Sequence, residues 1–303
     1  MNPQKKIRKM KFEDKYINIK QLCSEELKEI EKIMIDALDL RQEFLPYVAG
    51  FLKAPSKRIR PVLSLLFLKA AGFGIDSEIL KVLAAVELVH NASLIHDDII
   101  DQSDIRRGVK TISSNFGNKL GVICGDYLLS EAMNILLESD SVEIIKQFIN
   151  TLKKMCIGEV NQHFESFKIG TIEEYIEKSK NKTAYLFQTA LSTPLKCCSA
   201  SERLIAEASD FGLNFGIAFQ MRDDILNLVS DEKLKPSKSD LQEGVYTAAV
   251  IYANDTENYS DGVEKARCLL NNYTMRAEKN LSSLEDNVYT LALRELLELL
   301  KYE

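Results

Sequence analysis

The 303-residue sequence has no tryptophan and few residues that break helices: 13 glycines and 6 prolines, with no proline between Pro61 and Pro194. A β-sandwich or barrel needs turns rich in glycine and proline at about ten-residue intervals, and this chain has too few of them. No stretch of useful length alternates between apolar and polar residues as a half-buried strand does. These absences exclude an all-β fold and favour an all-α one.

Cysteine and net charge are also limited. The six cysteines are scattered except for the adjacent Cys197 and Cys198, and no CxxC pair occurs, which predicts free thiols in a reducing, cytoplasmic compartment. A net charge of −6 disfavours a general nucleic-acid binder. The longest run without a charged residue, Thr183 to Leu195, is too short to cross a bilayer, so no transmembrane segment is predicted.

Two strongly apolar helices are predicted near the centre of the fold. Asp76 is placed to cap the first, which runs toward Asp101, and the second extends from about Glu202 to Val229. Both are apolar nearly all round, which is typical of helices buried on every side. We expect them to form the middle of a helical bundle.

Further helices are predicted on both sides of these two. Ser24 can cap a helix with an apolar stripe, and Thr171 with Glu174 forms a capping box that opens a helix through about Leu195. We find no low-complexity linker and no internal repeat. The prediction is one all-α domain over residues 1–303, a bundle of long helices, with residues 1–20 as a flexible or polar N-terminal segment.

Aspartates cluster at the ends of both apolar helices. Asp97 and Asp101 are four residues apart and therefore share a helix face, with Asp98 beside them, and the second helix carries Asp223 and Asp224. Carboxylates are unfavourable at the negative end of a helix dipole unless a cation compensates them, and Mg²⁺ accepts such oxygen ligands. Either motif alone fits a solvated helix end, but the two together predict an acidic mouth that holds divalent cations.

Two basic clusters complement this mouth. One comprises Lys57, Arg58 and Arg60 just before Pro61, and the other is the Arg106-Arg107 pair. Arginine binds phosphate through two parallel hydrogen bonds, and lysine adds a point charge. A solvated basic turn is the alternative for each cluster alone. Combined with the aspartates, the clusters favour binding of diphosphates, one through metal and another through cations.

These residues resemble the trans-polyprenyl diphosphate synthase family. The matching motifs follow the order of the family and cover roughly 60% of the chain: Lys57-Arg58-Ile59-Arg60-Pro61, Glu87 to His90, Asp97 to Asp101, Arg106-Arg107-Gly108, Gly125 to Leu129, Lys182-Thr183 and Phe219 to Asp224. The resemblance implies a bundle around a central cavity. It also implies a chain-elongating prenyltransferase that condenses isopentenyl diphosphate with an allylic diphosphate, and a helical homodimer or a heterodimer with a small subunit.

The resemblance assigns roles to individual residues. It implies three Mg²⁺ ions, held by Asp97, Asp101 and Asp223. The resemblance makes these three aspartates and Lys182 the catalytic residues. It places the allylic diphosphate against Arg106, Lys182, Thr183, Gln220 and Lys235. It places isopentenyl diphosphate against Lys57, Arg60, His90 and Arg107.

The remaining expectation concerns the length of the prenyl product. In the family, the growing prenyl chain enters an apolar tunnel between the helices, and bulky residues one turn before the first aspartate close it. Here the small residues Ala92 and Ser93 leave it open. A long product, hexaprenyl to octaprenyl, is therefore predicted. The alternative is a floor formed by deeper residues and a geranylgeranyl or farnesyl product.

Three departures from the family pattern leave rival functions open. Asn227 replaces a frequent third aspartate, Lys238 replaces a glycine, and Ala54-Pro55-Ser56 replaces glycines before the first basic motif. A non-catalytic subunit of a heteromeric synthase is one rival. A terpene cyclase is another, although a cyclase does not need the second basic site. Glu87 with His90 also matches half of a di-iron site, but a second half is missing.

Overall fold

The computed structural model describes residues 12–139, 141–229, 241 and 244–301. In this part of the chain, one small hairpin and a π-helical turn (the π turn, Lys180–Ala184) accompany fourteen α-helices. The helices are α1 (Phe12–Gln21), α2 (Ser24–Asp36), α3 (Leu45–Lys53), α4 (Ile59–Ala70), α5 (Ser77–Ile100), α6 (Ile112–Phe116), α7 (Asn118–Leu137), α8 (Val142–Glu165), α9 (Ile172–Ser179), α10 (Tyr185–Cys197), α11 (Glu202–Val229), α12 (Ala248–Ala253), α13 (Ser260–Lys279) and α14 (Val288–Lys301). The hairpin pairs β1 (Ile105–Arg106) with β2 (Val109–Lys110). The predicted single-domain helical fold is confirmed.

The two predicted apolar helices are the buried α5 and α11. The side chain of Asp76 accepts a hydrogen bond from the backbone N–H of Ile79, so the predicted cap of α5 is present. α5 packs along α7 and also against α2, α4 and α10, whereas α11 packs against α10, α13 and the π turn. Both motif-bearing helix ends are therefore fixed by neighbours on several sides.

Small residues let these helices approach closely. Gly125 on α7 faces the His96 ring of α5, and a Cβ at that glycine would lie 2.2 Å from the ring. Gly216 on α11 faces the backbone of Ala184 in the π turn, where a Cβ would lie 2.6 Å from Cα. The glycines therefore set the spacing between the helices that carry the aspartates and the helices beside them.

The structure refines the predicted helices at three places. α2 begins at Ser24 itself, after Cys23 at the N-cap, so Ser24 is not the capping residue. The Thr171–Glu174 capping box is present, and the helical segment that it opens continues to Cys197, close to the predicted end at about Leu195, with the π turn inside it after Ser179. α1 occupies residues 12–20 of the predicted polar segment.

The N-terminal helix differs most from the prediction. Tyr16 and Ile19 are buried with only 4% and 3% of their surfaces exposed, although Lys15, Lys20 and other charged residues make the segment polar overall. These two residues pack into the hydrophobic core, and the side chains of Tyr16, Lys20 and Lys15 add polar contacts to the rest of the fold. Residues 12–20 are therefore helix rather than a flexible segment.

By length and composition alone, α5 and α7 would be long and apolar enough to cross a membrane. The apolar stretch of α5 is 67% buried within the fold and that of α7 39%. A core helix passes the same test because it is apolar for a different reason, the packing of protein on all sides. The longest run without a charged residue lies in neither helix, because charged residues such as Glu87 in α5 and Asp126 in α7 interrupt their apolar stretches.

We predict that Gly216→Ala lowers the free energy of unfolding by about 1–3 kcal/mol, because the new methyl group meets rigid backbone rather than a movable side chain. Urea denaturation followed by circular dichroism measures this change. Gly50→Ala is the control: Gly50 lies inside α3 with no atom within 4 Å of the added Cβ. That substitution should stabilise by about 0.5–1 kcal/mol. Equal stability of the two variants would contradict the packing argument.

Candidate active site

The first aspartate motif lies at the C-terminal end of α5, and its three carboxylates have different surroundings. Asp98 is buried, and its Oδ1 accepts a hydrogen bond from Nε of Arg106 on the hairpin. Asp97 is partly exposed and Asp101 is exposed. The structure therefore separates an inner carboxylate that holds an arginine from two outer carboxylates on the predicted shared face.

Charge is concentrated around Asp97. Its pKa is raised to about 6, first by burial and then by the neighbouring carboxylates Glu159 and Asp101, while Lys182 and Arg106 act in the opposite direction. Burial opposes the charge of Lys182, but Glu159, Asp97 and Asp101 outweigh it and raise the pKa of that amine. Lys182 Nζ lies 3.4 Å from Oε1 of Glu159. The mouth thus holds more negative than positive charge, which suits a cation.

A chain of hydrogen bonds crosses the second motif. The hydroxyl of Tyr175 on α9 donates to Oδ2 of Asp224 at 2.6 Å, and Nε2 of Gln220 donates to Oδ1 of the same carboxylate at 2.8 Å. Thr183 Oγ1 in the π turn donates to Oε1 of Gln220 at 2.6 Å. Asp224 is buried, whereas Asp223 is partly exposed and lies 3.6 Å from NH1 of Arg222. As in the first motif, one aspartate organises neighbours and the other faces outward.

Three of the predicted isopentenyl diphosphate residues, Arg60, His90 and Arg107, lie near one another and form what we call the cationic pocket, whereas Lys57 is exposed. Arg60 is buried, and its guanidinium lies 4.5 Å above the ring centre of Phe187. Burial lowers the pKa of Arg60 to about 10, while Glu87 and Asp223 favour its charge. NH1 of Arg107 lies 3.4 Å from Oδ1 of Asn91. Arg106 and Arg107 therefore point to different partners although they are adjacent in the chain.

His90 lies inside this pocket. Its pKa is held well below the usual range by burial and then by the charges of Arg60, Arg107, Arg58 and Arg106. A neutral imidazole among arginines can donate to or accept from a ligand without adding to the positive charge. The positive charge concentrated in the pocket suits an anionic ligand.

Sequence reasoning missed the roles of three residues that organise the site. Glu87 is buried and accepts a hydrogen bond from NH1 of Arg58 at 2.9 Å, which rules out the di-iron role considered for Glu87. Glu159 pairs with Lys182, and Tyr175 holds Asp224. Each of these contacts joins residues far apart in the chain, so no local spacing could indicate it.

The predicted metal ligands do not form a compact cluster. Within the ranges that the structure describes, no three histidine, cysteine, aspartate or glutamate side chains are grouped closely enough to hold a metal ion. Asp97 and Asp101 share one side of the mouth, and Asp223 belongs to the other helix. The donor set still fits Mg²⁺, which needs only one or two carboxylates when substrate phosphates and water complete its octahedron.

The remaining predicted positions are the chain-length and loop residues. Ala92 is fully buried, whereas Ser93 is partly exposed and donates from Oγ to the backbone carbonyl of His90 at 2.8 Å. His90, Ser93 and Asp97 follow one another at spacings of three and four residues, so they share a face of α5. Lys235 lies outside the described residues, as does Lys238.

Comparison with known proteins gives a consistent result. The sequence model of one family, described as polyprenyl synthetase, matches residues 42–290. A prenyl transferase of Cyanidium caldarium is 34% identical over 78% of this chain and 76% of its own length. A geranylgeranyl diphosphate synthase of Methanosarcina mazei is 38% identical over 66% of this chain, and the match spans just under two thirds, 64%, of that relative.

Solved structures agree in fold. The crystal structure of a decaprenyl diphosphate synthase from Rhodobacter capsulatus superposes with a TM-score of 0.84 at 25% identity. The superposition covers 94% of this chain and 98% of that one. The architecture of the two chains is therefore shared along nearly their whole length.

With the substrates that the resemblance implies, we predict that Tyr175→Phe raises the KM for an allylic diphosphate by about 3- to 10-fold, because Asp224 loses one of its two donors and then holds Gln220 less firmly beside Thr183. The KM for isopentenyl diphosphate should stay within about twofold, since the cationic pocket is not part of this hydrogen-bond chain. Steady-state kinetics with each substrate varied in turn makes the comparison. Tyr273→Phe, a buried tyrosine on α13, is the matched control. Equal increases in both KM values would contradict the assignment.

Proposed function

The chain belongs to the polyprenyl synthetase family and is a prenyltransferase, and we propose that it condenses isopentenyl diphosphate with an allylic diphosphate in a Mg²⁺-dependent reaction. One observation carries this proposal: the acidic mouth and the cationic pocket are adjacent, and the consecutive residues Arg106 and Arg107 each serve one of them. A reaction between two diphosphates needs two anion sites of this kind. A terpene cyclase has no use for the second.

The two anion sites divide the work of binding. In the proposed reaction the allylic diphosphate contacts Arg106, Lys182, Thr183, Gln220 and Lys235, and isopentenyl diphosphate contacts Lys57, Arg60, His90 and Arg107. Asp97, Asp101 and Asp223 are the residues that would hold Mg²⁺, three ions in our proposal. When bound, the metal neutralises the departing diphosphate.

The residues of this chain provide the setting for the bond changes. As the allylic C–O bond breaks, Arg106 and Lys182 stabilise the negative charge on the leaving diphosphate. Phe187 and Phe219, whose ring centres are 5.6 Å apart, belong to an apolar wall that excludes water. The alkene of isopentenyl diphosphate forms the new C–C bond to the allylic carbon that has lost its diphosphate. A proton then passes from the added isopentenyl group to the released diphosphate.

We also propose that a second copy of the chain covers an apolar surface on two adjacent helices. α7 exposes Leu120, Ile123 and Leu137, and α8 exposes Val142, Ile149, Ile157, Val160 and Phe164. Apolar surface repeated over two long helices is typical of an interface between subunits. A different, smaller subunit is the alternative occupant. All six cysteines are free thiols, which supports our proposal of a reducing, cytoplasmic location.

The test is incubation of the purified chain with labelled isopentenyl diphosphate, an allylic primer and Mg²⁺, with light scattering of the same sample to determine its mass. We predict a homodimer with chain-elongating activity. Asp97→Ala and Asp223→Ala should each lower turnover by about 10²-fold or more, because a charged ligand is lost from the transition state. Asp36→Ala, an exposed aspartate at the end of α2, should leave turnover unchanged.

Each rival function has its own outcome. A non-catalytic subunit would give no product until a partner is added, and a terpene cyclase would release a hydrocarbon or alcohol without consuming isopentenyl diphosphate. Near-normal rates in either aspartate variant would overturn the metal assignment.

We propose a long product, in the hexaprenyl to octaprenyl range. The small side chains of Ala92 and Ser93, about one turn before Asp97 on α5, support it, since neither is bulky enough to block a growing tail. A geranylgeranyl product is the alternative, with deeper residues such as Val86 or Met133 as the floor. The names of the relatives include short-chain and long-chain synthases and so do not decide between them.

We predict that Ser93→Phe shortens the main product without abolishing the first condensation, because the ring blocks the tail and not the diphosphate site. Chromatography of the dephosphorylated products measures the length distribution. Ser93→Ala is the control and should keep the wild-type distribution. A wild-type chain that stops at farnesyl or geranylgeranyl with excess isopentenyl diphosphate would refute the long-chain proposal.

A further inference from the structure

The N-terminal helix α1 contacts the loop that carries the first basic motif. The hydroxyl of Tyr16 donates to the backbone carbonyl of Lys57 at 2.7 Å. One turn further along α1, Nζ of Lys20 donates to the backbone carbonyl of Ser56 at 2.8 Å. Two successive carbonyls of the loop are therefore bound by two side chains of one helix face.

The loop needs such support because of its backbone. Arg58 has a φ of 53°, in the left-handed region that favours glycine, and it is the residue immediately before α4. Its guanidinium is held by Glu87 at 2.9 Å, by the carbonyl of Leu52 and by Glu31 at 3.5 Å. A non-glycine residue keeps this conformation only where its surroundings fix it.

The sequence before the motif also favours a fixed loop. Ala54, Pro55 and Ser56 stand where the family has glycines, and proline restricts both its own backbone and that of the residue before it. A stiff loop has few accessible orientations. Hydrogen bonds to its carbonyl groups therefore determine which of these orientations is populated. Lys57 lies in this loop, and Arg60 lies in the first turn of α4, which follows the loop directly, so the loop affects the position of both.

α1 is itself anchored to the bundle. Tyr16 and Ile19 are buried, and Lys15 Nζ lies 4.0 Å from Oε1 of Glu295 on α14. Burial raises the pKa of the Tyr16 phenol well above its ordinary value, so the hydroxyl remains a donor throughout the pH range of an assay. The helix can therefore act as a rigid support for the loop.

We propose that α1 is a positioning element for isopentenyl diphosphate, acting through Tyr16 and Lys20 on the loop that carries Lys57 and leads directly into α4, where Arg60 lies. This inference rests on the proposed function, which assigns the cationic pocket to that substrate. Neither Tyr16 nor Lys20 touches the substrate in this proposal. Their effect is on the preorganisation of the pocket.

Tyr16→Phe and Lys20→Met test the proposal by steady-state kinetics. Each should raise the KM for isopentenyl diphosphate by about 3- to 10-fold, with a larger increase in the double variant, because a hydrogen bond that orients the loop is lost. The KM for the allylic substrate and kcat should stay within about twofold. Lys20→Arg, which keeps a donor at that position, should restore the wild-type KM.

Matched controls separate positioning from stability. Tyr273→Phe removes a hydroxyl from another buried tyrosine, and Lys28→Met removes a lysine of α2 whose amine pairs with Glu25. Neither control should change either KM. Thermal unfolding of every variant shows whether the helix has detached.

Two kinetic outcomes would overturn the inference. One is an equal increase in the KM of both substrates, and the other is an unchanged KM for isopentenyl diphosphate in the double variant. Failure of the proposed function gives a different result, a wild-type chain that does not consume isopentenyl diphosphate at all.

Discussion

The ion pair between Arg58 and Glu87 fixes the geometry on which the cationic pocket depends. Both side chains are almost fully buried, and the pair joins the start of α4 to the middle of α5, three residues before His90. Taking two charges out of water is costly, and such a pair is tolerated only when each partner is satisfied. Arg58 meets this condition through Glu31 and the Leu52 carbonyl as well as Glu87.

The same pair balances the charges around the pocket. Glu87 favours the charged forms of Arg60 and Arg107 and thereby offsets part of their mutual repulsion. One buried carboxylate among several cations keeps the pocket assembled without neutralising it. The remaining positive charge is available to an anionic substrate.

The sequence predicted those features that depend on local spacing. The Asp76 cap, the Thr171–Glu174 capping box and the bounds of α11 follow from residues a few positions apart, and all are present. The two aspartate motifs were visible for the same reason. Local patterns could not show α1, because between residues 15 and 21 only Tyr16 and Ile19 are buried, in a segment dominated by charge.

Contacts over long sequence separations account for the rest. Arg58 and Glu87 are 29 residues apart, and Tyr175 and Asp224 are 49 apart. In the sequence, Arg58 resembles any arginine of a basic turn, and Tyr175 resembles any aromatic residue of an amphipathic stripe. Only the folded chain shows that each is bound to a carboxylate of the site.

The π turn between α9 and α10 sets the rotation of α10 about the helix axis relative to α9. A π-helical turn accommodates one more residue than an α-helical turn, and each residue of an α-helix rotates the next side chain by about 100°. Lys182 and Thr183 lie in this widened turn, directed toward Glu159 and Gln220. Removing a single residue there would regularise the helix but turn one of its two flanks by more than a quarter of a revolution. The irregular turn is thus the element that lets one continuous helical segment pack in the core on both sides and still present two polar side chains to the mouth.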